Sequence, residues 1–375
     1  MSKSYYSLGL MSGTSMDGVD ASIIQSDGEI KFKVILDKYF EYPKGIYKKL
    51  TKLRDKIESS KDLKKFSKEV INVEKEITLF HAKAANDIIK KTKVNIDFIG
   101  FHGQTIYHNA RKKISKQLGD GKLLSKITKK TVVFDFRQND LKNNGHGAPL
   151  TPAFHKILAK KINIKNVTFI NIGGIINVTT ILDDGNFHAC DIGPGMCLID
   201  KWIRINSKKK YDDKGKIAST GKINNNIFNI ATKKYIKEDR KKIKSLDVKD
   251  CELYFNFLNP AFRRSLSLKN GAATLIEFTA MTLRWGLVTT IGHLIKSNHK
   301  FILCGGGRKN EFLLQRINKY LPGLEVIDDF DINGDFIESQ AFAYLAIRSY
   351  LKLPISFPET TGVKKPCTGG KIIKN

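Results

Sequence analysis

Short apolar runs broken by glycine alternate with long amphipathic stretches along this chain. Tyr5 to Met11, Asp20 to Gln25 and Ile30 to Leu36 read as strands. Between them lie Gly13 to Gly18 and Ser26-Asp27-Gly28, a turn in which glycine supplies a positive φ. The pattern predicts an opening antiparallel meander. From Gly45 to Lys91 apolar residues recur at helical spacing (Leu50, Leu53, Ile57; Leu63, Phe66, Val70; Ile77, Phe80, Ala84, Ile88), so this stretch is expected to be mostly helix with an exposed lysine face. Phe98 to Phe101 and Thr131 to Phe134 return to strand, and Pro149 to Lys161 reads as a helix entered through proline.

At Val167 the opening logic repeats. Val167 to Asn171, Ile175 to Leu182 and Phe187 to Ala189 are strands separated by Gly173-Gly174 and Asp184-Gly185. Two similar starts suggest duplicated domains, with the boundary near residue 150. Leu198 to Ile203 is amphipathic and Thr274 to Lys296 is a long helical run. A strand at Phe301 to Cys304 then leads through Gly305-Gly306-Gly307 to a helix from Asn310 to Tyr320, a ligand-binding layout. A strand at Leu324 to Ile327, a helix from about Asp335 to Leu351 and a Pro- and Gly-rich tail, Pro354 to Gly370, complete the chain.

Composition narrows the classes. At 375 residues, 41% hydrophobic and 27% charged, the chain is long enough for two or three domains with their own cores. It carries 65 Lys and Arg against 37 Asp and Glu, a net charge of +28 that invites a nucleic-acid reading. The excess is dispersed, with denser runs at Lys90 to Lys93, Lys208 to Lys210 and Lys233 to Lys244, and no zinc-finger spacing, RRM-type run or basic-zipper heptad accompanies it. Solvated lysine faces are the simpler expectation, with no nucleic-acid partner. No apolar run approaches a membrane span, and Tyr5 to Met11 leads straight into Gly13 and Asp17, so neither signal peptide nor anchor is expected. The five cysteines contain no Cys-x-x-Cys pair, which fits a reducing cytoplasm.

Three glycine turns follow strands. In the first, Gly13-Thr14-Ser15-Met16-Asp17-Gly18-Val19-Asp20, glycines and hydroxyls can bring N–H and O–H donors close to phosphate oxygens, and Asp17 or Asp20 can hold Mg²⁺ directly or through water. The plain alternative is a tight hairpin. The second is Gly173-Gly174 and the third Gly305-Gly306-Gly307; jointly the three favour a nucleotide over turn chemistry alone. No Gly-x-x-x-x-Gly-Lys-Ser/Thr motif is present, so this is not a P-loop protein. Asp191, after a short strand and before Gly193-Pro194-Gly195, is placed to act as a general base, with a helix cap as the structural alternative. His102, Gln104 and Arg137 offer hydrogen-bonding groups suited to a sugar, although Asp135 or Arg137 can equally form a structural ion pair.

Taken together, these segments resemble the anhydro-N-acetylmuramic acid kinase family of the actin/Hsp70/sugar-kinase superfamily. The matching residues are Met11 to Asp20, Gly100 to Thr105, Asp135 to Arg137, Gly147 to Leu150, Asn171 to Gly174, Asp191 with Gly193 to Gly195, Cys304 to Gly307 with Asn310, and Glu338 with Ala341 to Ala343. The resemblance implies an α/β, two-domain actin-like ATPase (ribonuclease H-like) fold with an interdomain ATP cleft: domain I at 1–150 plus 338–375, domain II at 151–337. It implies ATP- and Mg²⁺-dependent conversion of 1,6-anhydro-N-acetylmuramic acid and water into N-acetylmuramic acid 6-phosphate in peptidoglycan recycling. Gly13 to Asp20, Gly173 and Gly174 would face the phosphates, Gly305 to Gly307 and Asn310 the adenosine, Asp191 the attacking water, and Glu338, with His102, Gln104 and Arg137, the sugar. A homodimer is also implied.

The sequence departs from the family at Ile192, where Thr is usual, at Met196, where Asn is common, and at Lys249-Asp250-Cys251-Glu252, which lacks the expected Gly-Arg. The first two adjoin Asp191 and bear on sugar specificity. The competing readings are a kinase of the same superfamily acting on another sugar or acid, and an ATP-gated switch protein.

Overall fold

The computed structural model describes residues 3–237, 245–255 and 265–375. The lysine run 233–244 ends outside the described residues. The chain divides into two compact units, one reaching to Asn163 and resuming over Asp335–Asn375, the other spanning Ile164–Gly334. The helix Pro152–Lys161 belongs to the first unit because Phe154 packs edge-on against Phe32 and against Tyr344, with ring centroids 5.0 and 5.7 Å apart.

The first unit is built on β1 (Tyr5–Ser12), β2 (Gly18–Ser26), β3 (Phe32–Glu41), β4 (Phe98–Asn109), β5 (Ile114–Leu118) and β6 (Thr131–Phe134). β1, β2 and β3 form the expected antiparallel meander, and β4 and then β6 add in parallel beside β1. A short C-terminal strand, Lys371–Ile373, closes the β6 edge, and β5 folds back on β4. Alternation along β1 sends Leu8 and Leu10 to one face, into a core with Ile77, Ala85 and Ile88 of the helix Ser67–Ile89. Gly9 faces the other way. There the helix Ile337–Tyr350 lies so close that a Cβ on Gly9 would fall 1.8 Å from the Ser339 carbonyl oxygen, and one on the paired Gly100 2.1 Å from that of Phe342. Glycine is therefore the condition for seating a helix, buried on nearly all sides, against the sheet.

The second unit repeats this plan. β7 (Val167–Ile172), β8 (Ile175–Ile181) and β9 (Phe187–Pro194) are an antiparallel meander, and β10 (Lys300–Cys304) and β11 (Leu324–Val326) add in parallel beside β7. The strand order is β3-β2-β1-β4-β6 in the first sheet and β9-β8-β7-β10-β11 in the second, the ribonuclease H-like arrangement of the actin-like fold. Its core gathers around the helix Leu268–Ile291, whose Phe278 and Leu283 join Ile192, Trp202 and Tyr235.

Several elements differ from expectation. β9 runs on through Asp191 to Pro194, because Asn177 pairs with Asp191 and Ile175 with Pro194; as an edge strand β9 tolerates the N–H that proline lacks. Asp191 is thus a strand residue and is not the cap of the helix Cys197–Asn206, which starts from Met196. β4 continues past Phe101 to Asn109, through an irregular register at Gly103, whose φ is +75°. The 45–91 stretch is three helices, 44–56, 60–65 and 67–89. β5, the helix Gly121–Thr128 capped by Asp120, and the helix Asn225–Ile236 capped by Asn224 were not anticipated.

Candidate active site

In the first unit the candidate residues gather at one end of the sheet, where β1 and the parallel β4 finish a stretch of pairing that includes Ser12 beside Gln104. The loop from Gly13 to Asp17 leaves this end. Thr14 and Ser15 are exposed, Gly13, Asp17 and Asp20 are half-buried, and Met16, Gly18 and Val19 are buried. Met16 adopts a left-handed conformation at φ +59° and drops its side chain into the core, 1% exposed, while its N–H bonds the Gly13 carbonyl at 3.2 Å. Met16 and Val19 therefore anchor the loop, and the groups open to a ligand are Gly13, Thr14, Ser15 and the carboxylate of Asp17, which accepts from Ser15 Oγ at 2.6 Å.

Gln104 is fully buried and donates Nε2–H to the Gly13 carbonyl at 2.9 Å. Its Oε1 is buried without a hydrogen-bond partner among the described residues. His102 stacks on Phe342, with centroids 4.4 Å apart, and donates from Nδ1 to the Gly103 carbonyl at 2.9 Å. Its bare Nε2 accepts from Arg137 Nη2 at 3.1 Å. Burial, reinforced by the Arg137 guanidinium, holds the His102 pKa well below the usual imidazole range, so the ring is a neutral hydrogen-bonding group. Asp135 bonds Lys371 Nζ at 2.6 Å and so makes the structural ion pair that its position allowed. Glu338 is half-buried in the first turn of the helix Ile337–Tyr350.

In the second unit Asp191 is buried in β9, and its Oδ2 accepts the backbone N–H of Leu246 at 2.7 Å. Nearby, the Gly173 carbonyl accepts from Met196 N–H at 2.8 Å, and that of Gly174 from Gly195 and Cys197 N–H at 3.0 and 3.2 Å. The turn thus rests its carbonyls on the start of the helix Cys197–Asn206. The third turn lies against the second. Gly305 has φ +78°, and a Cβ there would sit 2.3 Å from Asn171 Oδ1; one on Gly307 would sit 2.3 Å from the Ile172 side chain. Arg308 locks this turn, donating Nη1–H to the Gly305 carbonyl at 3.0 Å and a bidentate pair to Asp328 at 2.5 and 2.9 Å. That pairing pulls the Asp328 pKa below the ordinary carboxylate range. Asn310 caps the helix Glu311–Tyr320 through Oδ1, which accepts from Leu313 N–H at 2.9 Å, and leaves its buried Nδ2 without a hydrogen-bond partner among the described residues.

Each turn also holds a glycine that the protein itself does not require. A Cβ on Gly13 or Gly173 would meet nothing closer than 3.7 Å, and one on Gly306 nothing within 4 Å. Bare backbone at such places suits close approach by a ligand. The sites are rich in backbone amides, hydroxyls and glycine, a chemistry that fits phosphate and sugar oxygens. Among the described residues no cluster of three His, Cys, Asp or Glu side chains forms a metal cage. Arg308, which holds the third turn, carries no signal in the sequence, because nothing in its spacing brings it to the loop.

A family model described as Anhydro-N-acetylmuramic acid kinase matches residues 5–375. The chain is 50% identical over 381 residues to the Anhydro-N-acetylmuramic acid kinase of Pelagibacter ubique (strain HTCC1062), covering 100% of each. It is 35% identical over 378 residues to that of Brucella canis (strain ATCC 23365 / NCTC 10854 / RM-666), covering 98% of each. Among solved structures, Acidaminococcus fermentans (R)-2-hydroxyglutaryl-CoA dehydratase component A aligns with a TM-score of 0.46 at 12% identity, over 93% of this chain and 100% of that one.

Proposed function

This chain belongs to the anhydro-N-acetylmuramic acid kinase family and is a phosphotransferase of peptidoglycan recycling; we propose that it opens the 1,6-anhydro ring with water while passing the γ-phosphoryl group of ATP to O6. Asp191 takes a proton from the water as its oxygen adds to C1. The C1–O6 bond breaks, and O6 forms a bond to the γ-phosphorus as the bond to the β-phosphate oxygen breaks. The products are N-acetylmuramic acid 6-phosphate and ADP. An inverting glycosidase needs an acid for the leaving oxygen as well as a base; here phosphoryl transfer captures O6, so one carboxylate suffices.

The loop Gly13–Asp20 and the Gly173-Gly174 turn receive the phosphates, with Thr14 and Ser15 presenting hydroxyls and Met16, Gly18 and Val19 holding the loop. Gly305 to Gly307 and Asn310 take the adenosine. His102, Arg137 and Glu338 contact the sugar, and Gln104 acts through the Gly13 carbonyl. Mg²⁺ would come with ATP, and Asp17 or Asp20 would hold it directly or through water; the half-buried carboxylate of Asp17 beside the exposed Thr14 and Ser15 supports that mode. When bound it neutralises charge on the phosphates. Disulfide bonds join none of the five cysteines, which supports a reducing cytoplasm. No described helix is long and apolar enough to cross a membrane.

The observation that carries this reading is the family match over residues 5–375, which spans every residue assigned a role. ADP release with Mg-ATP is expected only with 1,6-anhydro-N-acetylmuramic acid, and not with free N-acetylmuramic acid or N-acetylglucosamine. Asp191→Asn is expected to lower kcat by about 10²- to 10⁴-fold. Turnover on the free sugars would assign the site to ordinary hydroxyl phosphorylation and point to Ile192 and Met196. An active Asp191→Asn would remove the base.

A further inference from the structure

Three strand ends meet beside the first glycine loop. β1 finishes at Ser12, β2 begins at Gly18, and β3 ends at Glu41, paired with Gly18. The next residue, Tyr42, is 4% exposed. Its backbone N–H donates to the Asp17 carbonyl at 2.8 Å, and its phenol oxygen lies 2.8 Å from Ser12 Oγ. One residue thus grips both stems of the loop, the strand that enters it and the residue that leaves it.

The direction of every proton in this cluster follows from its end. His81 Nδ1 lies 2.8 Å from the Ile77 carbonyl, which can only accept, so Nδ1 carries the hydrogen. Burial pushes the His81 pKa down to about 4, so the ring is neutral and Nε2 is a bare acceptor. Ser12 Oγ, 3.0 Å from Nε2, donates its one proton there. Tyr42 must then donate to Ser12. Burial pushes the phenol pKa up, which keeps it a donor. The ordered chain runs Tyr42 to Ser12 to His81 to the backbone of the helix Ser67–Ile89, with all three side chains buried.

We infer that Tyr42 is a positioning residue for phosphoryl transfer, clamping the two stems of the loop Gly13–Asp17 so that its donors are set in place before the nucleotide binds. The inference rests on the reading of that loop as the phosphate site. Ser12, although it stands beside Gly13, has both its proton and a lone pair committed to the chain, so its hydroxyl serves the clamp and not the ligand. Rigid placement matters because displacing reacting groups by about 1 Å costs on the order of 10²-fold in rate.

Tyr42→Phe keeps the ring and the backbone N–H and removes only the phenol. In the full chain, with ADP release as readout, it is expected to lower kcat/KM for ATP by about 10- to 100-fold while the KM for the anhydro sugar stays within about twofold. The double variant with Ser12→Ala is expected to be no worse than Ser12→Ala alone, because the two act through one chain. ATP kinetics within about twofold of wild type in Tyr42→Phe, or equal losses for ATP and sugar, would overturn the clamp. Asp17→Asn and Ser15→Ala separate the two ideas. If both leave ATP kinetics unchanged, the loop is not the phosphate site and the inference falls with it; if they weaken ATP use while Tyr42→Phe does not, only the clamp fails. A readout independent of turnover is the ¹⁵N signal of the His81 ring, expected to show Nδ1 protonated and Nε2 bare. The Nε2 signal should move in Ser12→Ala; an unmoved signal there, or a protonated Nε2 at neutral pH, would overturn the ordered chain.

Discussion

Gly305 and Gly306 are neighbours with different reasons to lack a side chain. At Gly305 the backbone is left-handed, φ +78°, and a Cβ would collide with Asn171 Oδ1 and the Ile172 carbonyl, so alanine there strains the protein whether or not ATP is present. At Gly306 a Cβ would meet open space. Gly305→Ala is therefore expected to lower the melting temperature by several degrees, on the order of 1–2 kcal/mol. Gly306→Ala is expected to leave melting unchanged within about 1 °C and to raise the KM for ATP by about tenfold, since only a ligand could meet the new methyl. Differential scanning fluorimetry and ADP-release kinetics read the two effects separately. Unchanged ATP kinetics in Gly306→Ala would remove the adenosine role from this turn. The glycine motifs were legible as a pattern, but a string of letters does not distinguish a glycine needed for chain geometry from one left bare for a ligand. That distinction requires the neighbours, Asn171 and Ile172, which lie more than a hundred residues away in sequence.

Between elements, both units hold their first hairpin turn with the segment that follows the third strand. In the first, Tyr42 after β3 bonds the Asp17 carbonyl; in the second, Gly195 to Cys197 after β9 bond the carbonyls of Gly173 and Gly174. The repeated meander could be read from hydrophobic alternation, and Thr131–Phe134 coincides with β6. The full lengths of β4 and β9 could not, because Gly103 and Gly193-Pro194 look like breakers in isolation. Pairing with β1 and with β8 carries each strand through them. Helix contacts in the second unit were hidden for the same reason. Glu277, 5% exposed on the helix Leu268–Ile291, accepts from Arg316 Nε and, at 2.5 Å, from Tyr320 OH, both on the helix Glu311–Tyr320. The pair raises the Arg316 pKa, and burial, with Glu277 second, pushes that of Tyr320 up to about 12. Glu277→Ala is expected to cost about 1–3 kcal/mol, because it strands the Arg316 charge. Replacing both ends, Glu277→Leu with Arg316→Met, should restore part of the loss. Urea unfolding followed by circular dichroism measures both; an apolar double variant less stable than wild type would show that the pair contributes more than it costs to bury.

At the scale of the whole chain, the +28 charge sets a background of self-repulsion that grows as acid protonates carboxylates, and buried histidines add to it. Burial pushes His81 down to about 4, and His108 and His155 down to about 3; His102 is lowered too. An imidazole in the unfolded chain titrates near ~6.5. Between these values the unfolded state binds more protons than the native state, so stability rises with pH and is lost as pH falls from about 6.5 toward 4. Each such histidine contributes up to about 1.4 kcal/mol per pH unit across that window and nothing further above it. Asp37 opposes this: burial raises its pKa, so its contribution is greatest in acid and fades as pH rises through its native value. Asp247, also raised by burial, opposes it too, while His299, lowered by burial, adds to the acid loss, so two carboxylates stand against five histidines. The melting temperature is therefore expected to be nearly flat from about pH 7 to 8.5 and to fall with increasing slope from 6.5 to 4.5. His155, on the helix Pro152–Lys161 and outside the glycine loops, isolates the cause. His155→Gln removes one titrating ring and should flatten the acid limb, whatever it does to the melting temperature at pH 8. A melting temperature that climbs on acidification, or an acid slope identical in wild type and His155→Gln, would show that neutral buried imidazoles do not govern the acid stability of this protein.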